Sequence, residues 1–158
     1  RIATSWFGEL DVPEEEVIRF PRGIPGFEDL HRFLLLEHRP GSPFRFLQGV
    51  DDPGVSFLLL DPAALGVDYG SLIPPQLRQG PGPDGPSPMV FCIVTVPSDP
   101  QQATVNLRAP LVIDPATRTG IQLVLAEDGY PIRYPLAAGK AFQGRHDGAG
   151  RLPHLALR

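Results

Sequence analysis

The stretch Phe20-Pro21-Arg22-Gly23-Ile24-Pro25-Gly26-Phe27-Glu28-Asp29-Leu30 decides the fold, because its turn-forming residues stand between apolar anchors and not in a polar loop. Proline presets φ and glycine accepts positive φ, so Pro25 and Gly26 predict a type II turn. Gly23 adds a second freely rotating position. A simple rigid connection between two strands is the alternative interpretation. Either way, the segment predicts a compact reversal of the chain.

Residues 20–30, called the knuckle below, have flanks that predict regular structure. A strand is expected to end at Phe20, and a short helical turn is expected over residues 28–33. Phe27 and Phe33 are then expected to reach the core on either side of the acidic pair Glu28 and Asp29. The knuckle is therefore predicted to be anchored by aromatic side chains.

Short apolar segments recur along the rest of the chain, and Pro and Gly separate them. The most apolar one, Met89–Val96, predicts a strand that is buried on both faces or lies at the centre of a closed sheet. The pattern is typical of a mainly β fold, either a small antiparallel barrel-like domain with a few short helical turns or a sandwich. The residues expected in its core are Phe7, Phe20, Phe27, Phe46, Phe57, Val90, Ile93, Val105 and Leu123.

The domain organisation follows from where this pattern ends. Residues 1–136 are predicted to form one domain, residues 79–88 a flexible loop, and residues 137–158 a flexible C-terminal tail without an apolar face. Cys92 is the single cysteine and lies in a predicted buried strand, which favours a reduced, intracellular protein. No visible leader and no apolar run of about 18 residues is present, so we expect a chain that is neither secreted by a visible signal nor inserted in a bilayer. We also predict a monomer.

Charge is distributed unevenly along the chain. Residues 1–136 contain 17 Asp and Glu against 10 Arg, a net charge of −7, whereas residues 137–158 carry +3. An acidic body repels phosphate backbones, so direct nucleic-acid binding is not expected. A basic protein partner is the more natural electrostatic match.

Motifs of catalysis, metal binding or cofactor binding are not found in the sequence, and no cofactor is predicted. Asp51 and Asp52 are the best catalytic candidates, with His31 as a possible base, because neighbouring carboxylates can divide acid and base roles. In a turn between strands, the same carboxylates more often accept hydrogen bonds from the backbone. Asn106 interrupts an apolar strand, so it either presents its amide to a partner or marks a bulge or a cross-strand hydrogen bond.

Six segments in order resemble the flagellar assembly factor FliW family, and they cover residues 1 to about 136. They are Thr4-Ser5-Trp6-Phe7-Gly8-Glu9, Phe20 to Glu28, Phe46-Leu47-Gln48-Gly49-Val50-Asp51-Asp52-Pro53, Ile93-Val94-Thr95-Val96-Pro97, Asn106-Leu107-Arg108-Ala109-Pro110 and Tyr130-Pro131-Ile132-Arg133-Tyr134-Pro135-Leu136. The chain departs from the family at Gly49, where Ser or Ala is more usual, in the Pro- and Gly-rich stretch 79–88 and in the tail.

The resemblance implies a non-enzymatic protein of the bacterial cytoplasm that binds flagellin and the RNA-binding translational repressor CsrA. Binding relieves repression of flagellin synthesis, and flagellin titrates the factor away from CsrA. The candidate partner-contact residues are the turn carboxylates and their neighbours, Phe27, Glu28, Asp29, Asp51, Asp52 and Asn106, with Gly23, Pro25 and Gly26 as structural turn residues. A small hydrolase using Asp51 and Asp52, and a small-ligand-binding barrel, are the alternatives from other classes.

Overall fold

The computed structural model describes residues 2–4, 7–37, 39–74, 87–126 and 129–136. Within them the chain forms short strands joined by tight turns and single-turn 3-10 helices. The strands are β1 Ile2–Thr4, β2 Gly8–Leu10, β3 Ile18–Arg19, β4 Arg32–Glu37, β5 Phe44–Gly49, β6 Ser56–Leu60, β7 Met89–Thr95, β8 Thr104–Val105, β9 Leu111–Asp114, β10 Thr119–Gln122 and β11 Tyr134–Pro135. The 3-10 turns are Glu14–Glu16, Pro62–Leu65, Gly70–Leu72 and Pro100–Gln102.

Seven strands close into a barrel in the order β3-β4-β5-β6-β7-β9-β10. β7 pairs with β6 along one edge, while its other edge pairs with β9 in its first half and with β8 in its second. All these pairings are antiparallel except the closing one, where β10 runs parallel to β3 through the single pair Thr119 and Arg19. The predicted mainly β, barrel-like fold with short helical turns is confirmed.

The interior of the barrel is filled with side chains. Successive residues of a strand face opposite sides of the sheet, so Phe57 and Leu59 face inward from β6 while Leu58 and Leu60 face outward. The inward cluster draws residues from six of the seven strands: Ile18, Phe33, Leu47, Phe57, Leu59, Phe91, Leu111 and Ile113. Burial of each such side chain stabilises the fold by about 1.5–3 kcal/mol. Among the described residues, this filled interior argues against the small-ligand-binding barrel.

A second apolar layer covers the outside of β5, β6 and β7. Outward side chains such as Phe46 and Leu58 pack there against Tyr69, Leu107 and Leu125, which come from the connections between strands. Of the residues predicted for the core, Phe20, Phe46, Phe57 and Val105 are buried, whereas Phe7, Phe27, Val90, Ile93 and Leu123 are half-buried. The half-buried ones contact the two layers from their margins.

The knuckle contains the predicted type II turn. The Phe27 N–H donates to the Ile24 carbonyl oxygen at 2.6 Å, and Gly26 has φ of 89°. Gly23 also has positive φ, 66°, and its N–H donates to the Phe20 carbonyl oxygen at 2.8 Å. The two reversals expected from glycine are therefore present.

The helical turn predicted over residues 28–33 is wrong. The Leu30 N–H donates to the Phe27 carbonyl oxygen at 3.0 Å, which closes another tight turn, and β4 already begins at Arg32. Phe33 pairs with Ile18 on one side and with Gly49 on the other. The ladder hydrogen bonds to two neighbouring strands outweigh the weak preference of a six-residue segment for a helix.

Two tight connections shape the rest of the fold. A four-residue turn joins β9 to β10 and places Arg118 at φ of 55°. Asp61 caps the 3-10 turn Pro62–Leu65, and Gly66 follows it at φ of 76°. The predicted tail and most of the predicted loop 79–88 lie outside the described residues. No helix in the described ranges is long and apolar enough to cross a membrane.

Candidate functional site

The knuckle covers one end of the barrel. Ile24 is only 2% exposed and packs with the interior cluster. The Phe27 ring meets Phe57 edge to face, with centroids 5.0 Å apart, and Phe20 meets Phe33 in the same way at 5.4 Å. The knuckle thus closes this end of the barrel. It is anchored by aromatic contacts, as its sequence predicted. Phe27 keeps enough exposure to contribute to a surface as well.

The turn that carries Asp51 and Asp52 lies at the same end of the barrel. β4 and β5 are antiparallel neighbours, so the knuckle before β4 and the turn after β5 lie at the same end of this pair. Asp52 Oδ1 accepts the Gly54 N–H at 3.2 Å, which is the backbone cap that the turn sequence suggested. Asp51 Oδ1 instead accepts two bonds from Arg32, from Nε at 3.0 Å and from Nη2 at 2.6 Å. The two neighbouring carboxylates therefore have different partners.

Gln48 supports this turn from below, which sequence inspection missed. Its buried side-chain Nε2 donates to the carbonyl oxygens of Gly49, Pro53 and Val55 at 3.0, 2.8 and 3.3 Å. The turn packs closely against Gly49 in this chain, where a Cβ would lie 2.7 Å from the Asp52 carbonyl oxygen. The Asp51–Asp52 turn is therefore held from the interior by the buried Gln48 side chain.

Two arginines stand side by side next to the turn, because Arg19 of β3 is the cross-strand neighbour of Arg32 of β4. Each is balanced by its own carboxylate: Glu14 lies 2.6 Å from Arg19, and Asp51 lies 2.6 Å from Arg32. Like charges directly opposite each other on a sheet destabilise it unless they are neutralised in this way. Glu14 and Asp51 therefore each form an ion pair with an arginine of the same chain.

The remaining carboxylates at this end are available to a partner. Glu28 Oε2 accepts the Gly26 N–H at 3.0 Å, and this bond, together with its own N–H, holds the pKa of Glu28 below its usual range. Asp29 is exposed and forms no ion pair among the described residues. We call Glu28, Asp29 and Asp52 the acidic rim.

His31 and Asn106 each form local hydrogen-bond contacts with the backbone. His31 is exposed, and its Nδ1 lies 3.0 Å from the Phe20 carbonyl oxygen. Asn106 follows β8, and its Oδ1 accepts the N–H groups of Arg108 and Ala109 at 3.0 and 3.2 Å. Asn106 thus shapes the connection to β9, by a local turn and not by a bulge.

The hydrolase alternative required these groups to converge in one concave pocket. The Asp51 carboxylate is instead held by Arg32, and three surface hollows among the described residues are lined by residues other than Asp51, Asp52 and His31. Groups of three or more His, Cys, Asp or Glu that could hold a metal are not found in the part of the chain that the structure describes. The buried thiol of Cys92 has its pKa raised to about 11 by burial, so it is not a nucleophile at neutral pH.

The Arg32–Asp51 pair predicts a pH-dependent contribution to stability. Its hydrogen bonds to the Arg32 side chain lower the pKa of Asp51 from its usual value, so the contribution is complete above that value of about 3.9 and is lost as the pH falls through the lowered pKa. Because the two side chains are 38% and 35% exposed, Asp51→Asn should reduce the free energy of unfolding by at most about 1 kcal/mol at neutral pH.

Urea denaturation of both proteins at several pH values tests this prediction. The difference between them should shrink toward zero as the pH falls to about 2, and added salt should reduce it at neutral pH. A difference that stays constant in acid would show that the pair contributes through packing and not through charge.

These features define a closed β-barrel domain that is filled by its own side chains. Its exposed features are surface loops, with charged turns at one end. The sequence model of the FliW protein family matches residues 1–136. A "Flagellar assembly factor FliW" of Caldicellulosiruptor bescii is 40% identical over 131 residues, which cover 82% of this chain and 86% of that protein. The protein of the same description from Heliobacterium modesticaldum is 40% identical over 152 residues, covering 94% and 99%.

A solved structure is similar to this chain as well. The crystal structure of a flagellar assembly factor FliW superposes with a TM-score of 0.71 at 30% identity, covering 85% of this chain and 94% of that one. The chain belongs to the FliW family. The resemblance inferred from the six sequence segments is therefore confirmed.

Proposed function

We propose that this protein is a flagellar assembly factor that binds flagellin and a CsrA-like RNA-binding repressor, and that it thereby relieves repression of flagellin synthesis. Membership of the FliW family carries the proposal, because the relatives that match over most of the chain are named flagellar assembly factors. The protein acts in the cytoplasm as a monomer and without enzymatic activity.

The acidic rim supports an encounter with a basic partner. Glu28, Asp29 and Asp52 are all exposed, and the lowered pKa of Glu28 keeps that carboxylate charged. Phe27 supplies half-buried apolar surface beside them. Exposed charge of this kind steers association, while neighbouring apolar groups provide the buried contact.

Binding measurements test the proposal directly. Calorimetric titrations with purified CsrA and with purified flagellin are expected to show saturable binding of each protein, and a separate titration with RNA is expected to show none. The absence of binding to both proteins would remove the proposal. Tight binding of RNA by this chain alone would place it in a different class of protein.

Charge reversal at the rim should slow association with CsrA. Asp52→Lys leaves the Arg32–Asp51 pair in place and is expected to reduce the association rate constant about tenfold at low salt, because steering by surface charge acts mainly on that rate. The difference from the unmodified protein should fade at moderate salt. Stopped-flow fluorescence measures both effects.

Asp61→Lys is the matched control. Asp61 is also exposed, and it accepts a backbone N–H two residues later, that of Ala63, at 3.0 Å. It follows the C-terminal end of β6, whereas Asp52 precedes the N-terminal end of the same strand. It should change the association rate little. Equal slowing by the two variants would show that the overall charge of the protein matters and that the rim does not.

A further inference from the structure

The barrel closes through its shortest strand pairing. β3 and β10 are joined by the single pair Arg19 and Thr119, whereas the other neighbouring strands of the barrel pair at two or more residues each. The Arg19 N–H donates to the carbonyl oxygen of Arg118 at 2.9 Å across this join. We call Arg19, Arg118 and Thr119 the seam. Native proteins open locally where few backbone groups are paired, so the seam is the join of the barrel that is easiest to open.

Arg118 has a backbone conformation that an arginine does not favour. It ends the turn between β9 and β10 with φ of 55°, and among the described residues it is the only one other than glycine with positive φ. Its N–H donates to the Asp114 carbonyl oxygen at 2.7 Å, which closes the turn. Glycine adopts this conformation without strain. The strain of an arginine here persists because other interactions of the same residue offset it.

The side chain of Arg118 supplies such an interaction, because it crosses the seam. Its Nη2 donates to the Glu16 carbonyl oxygen at 2.8 Å, across a separation of 102 residues in the chain. Its Nε is buried and has no hydrogen-bond partner among the described residues, so the base of the guanidinium is enclosed in the join. The bond to Glu16 extends the join from Arg19 to the segment before β3. From the interior, the Phe20 ring lies against Gly120 at the same join.

We propose that the seam opens before the rest of the barrel unfolds, and that the Arg118 side chain is the clasp that keeps it closed. Once the clasp is released, β3 is joined to β10 only by the pair Arg19 and Thr119 and by the contact of the Phe20 ring. The ladders from β4 to β7 do not involve these groups and stay intact. The knuckle begins at Phe20, directly after β3, so each opening also loosens the strand that leads into it. The inference does not depend on the partners proposed above.

Hydrogen exchange in the full chain, followed by nuclear magnetic resonance, tests the first half of the proposal. The Arg19 amide reports on the seam, whereas the Leu58 and Leu59 amides report on global unfolding, because β6 has a partner strand on each side. Relative to its intrinsic rate, Arg19 should exchange at least about tenfold faster than Leu58 and Leu59. Its exchange should also depend only weakly on low concentrations of guanidinium, since a local opening exposes little surface.

Arg118→Met tests the clasp. Methionine keeps an apolar stem and the same unfavourable φ, but it has no donor for the Glu16 carbonyl oxygen. Because the clasp is broken both in the open seam and in the unfolded chain, its removal should accelerate exchange at Arg19 and at Leu58 and Leu59 by the same factor, about tenfold.

Asp61→Ala is the matched control. It removes the cap on the Ala63 N–H, which stays formed when the seam opens and is lost only on global unfolding. This variant should accelerate exchange at Leu58 and Leu59 about fivefold and leave Arg19 unchanged.

The proposal fails if Arg19 exchanges with the same protection and the same guanidinium dependence as Leu58 and Leu59, since the seam then opens only with the whole barrel. Acceleration of Arg19 by Asp61→Ala would lead to the same conclusion. An Arg19 rate that Arg118→Met leaves unchanged would show that the side chain is not the clasp.

Discussion

Gly23→Ala is expected to lower the free energy of unfolding by about 3 kcal/mol or more, which is a large part of the stability of a domain of this size. Gly23 has φ of 66°, a conformation that costs an L-residue about 1–2 kcal/mol. In addition, a Cβ at this position would lie 2.7 Å from the Glu28 Cα and 2.8 Å from the Glu28 carbonyl oxygen. Both of these are backbone atoms of the knuckle, so they cannot move away without opening it.

Gly26→Ala is the matched control for this prediction. Gly26 has φ of 89°, but a Cβ there would meet no atom within 4 Å. Only backbone strain remains, and we expect a loss of about 1–2 kcal/mol. Guanidinium denaturation of the three proteins measures the difference. Equal losses for the two variants would show that the close approach of Gly23 to Glu28 is not a constraint in solution.

Gly120→Ala should be the second strongly destabilising change, by about 2–3 kcal/mol. A Cβ at Gly120 would lie 2.5 Å from Cζ of Phe20, whose ring is fully buried between the knuckle and Phe33. Phe20 cannot rotate away without leaving the interior cluster. The Phe20 ring therefore fills the space that a side chain at position 120 of β10 would occupy.

A double-mutant cycle tests this explanation. Phe20→Leu alone should also destabilise the protein, because it leaves a cavity in the interior. Leucine lacks the distal ring atoms, so the double variant should be more stable than the sum of the single effects predicts, by at least about 1 kcal/mol. Additive effects would mean that the two residues do not compete for one space.

The knuckle was predictable because its conformation depends on local chemistry. Pro25 and Gly26 determine their turn within four residues, and Asp61 caps a 3-10 turn within three. The helical turn over residues 28–33 failed for the opposite reason. β4 is held by partners distant in the sequence, and a local pattern carries no information about such pairing.

The closure of the barrel shows the same limit more strongly. Closure depends on the pairing of Arg19 in β3 with Thr119 in β10. These residues are far apart in the chain and their strands are parallel, whereas the alternation of short strands suggested an antiparallel sheet throughout.

The candidate site was predictable in part. The carboxylates of the turns were found, since Asp and Asn are frequent where strands end. Their partners were not, because Arg32 reaches Asp51 only through the register of β4 against β5, and Gln48 looks in sequence like any polar strand residue. Sequence alone therefore did not show that Asp51 is paired with an arginine of the same chain.

The measurement that tests the functional account most directly is the release of RNA from CsrA. A fluorescently labelled RNA bound by CsrA is titrated with this protein, and fluorescence anisotropy reports the bound fraction. We predict that the protein lowers the anisotropy to that of free RNA and that added flagellin restores the high value. Anisotropy that is unchanged by a saturating amount of this protein would contradict the account.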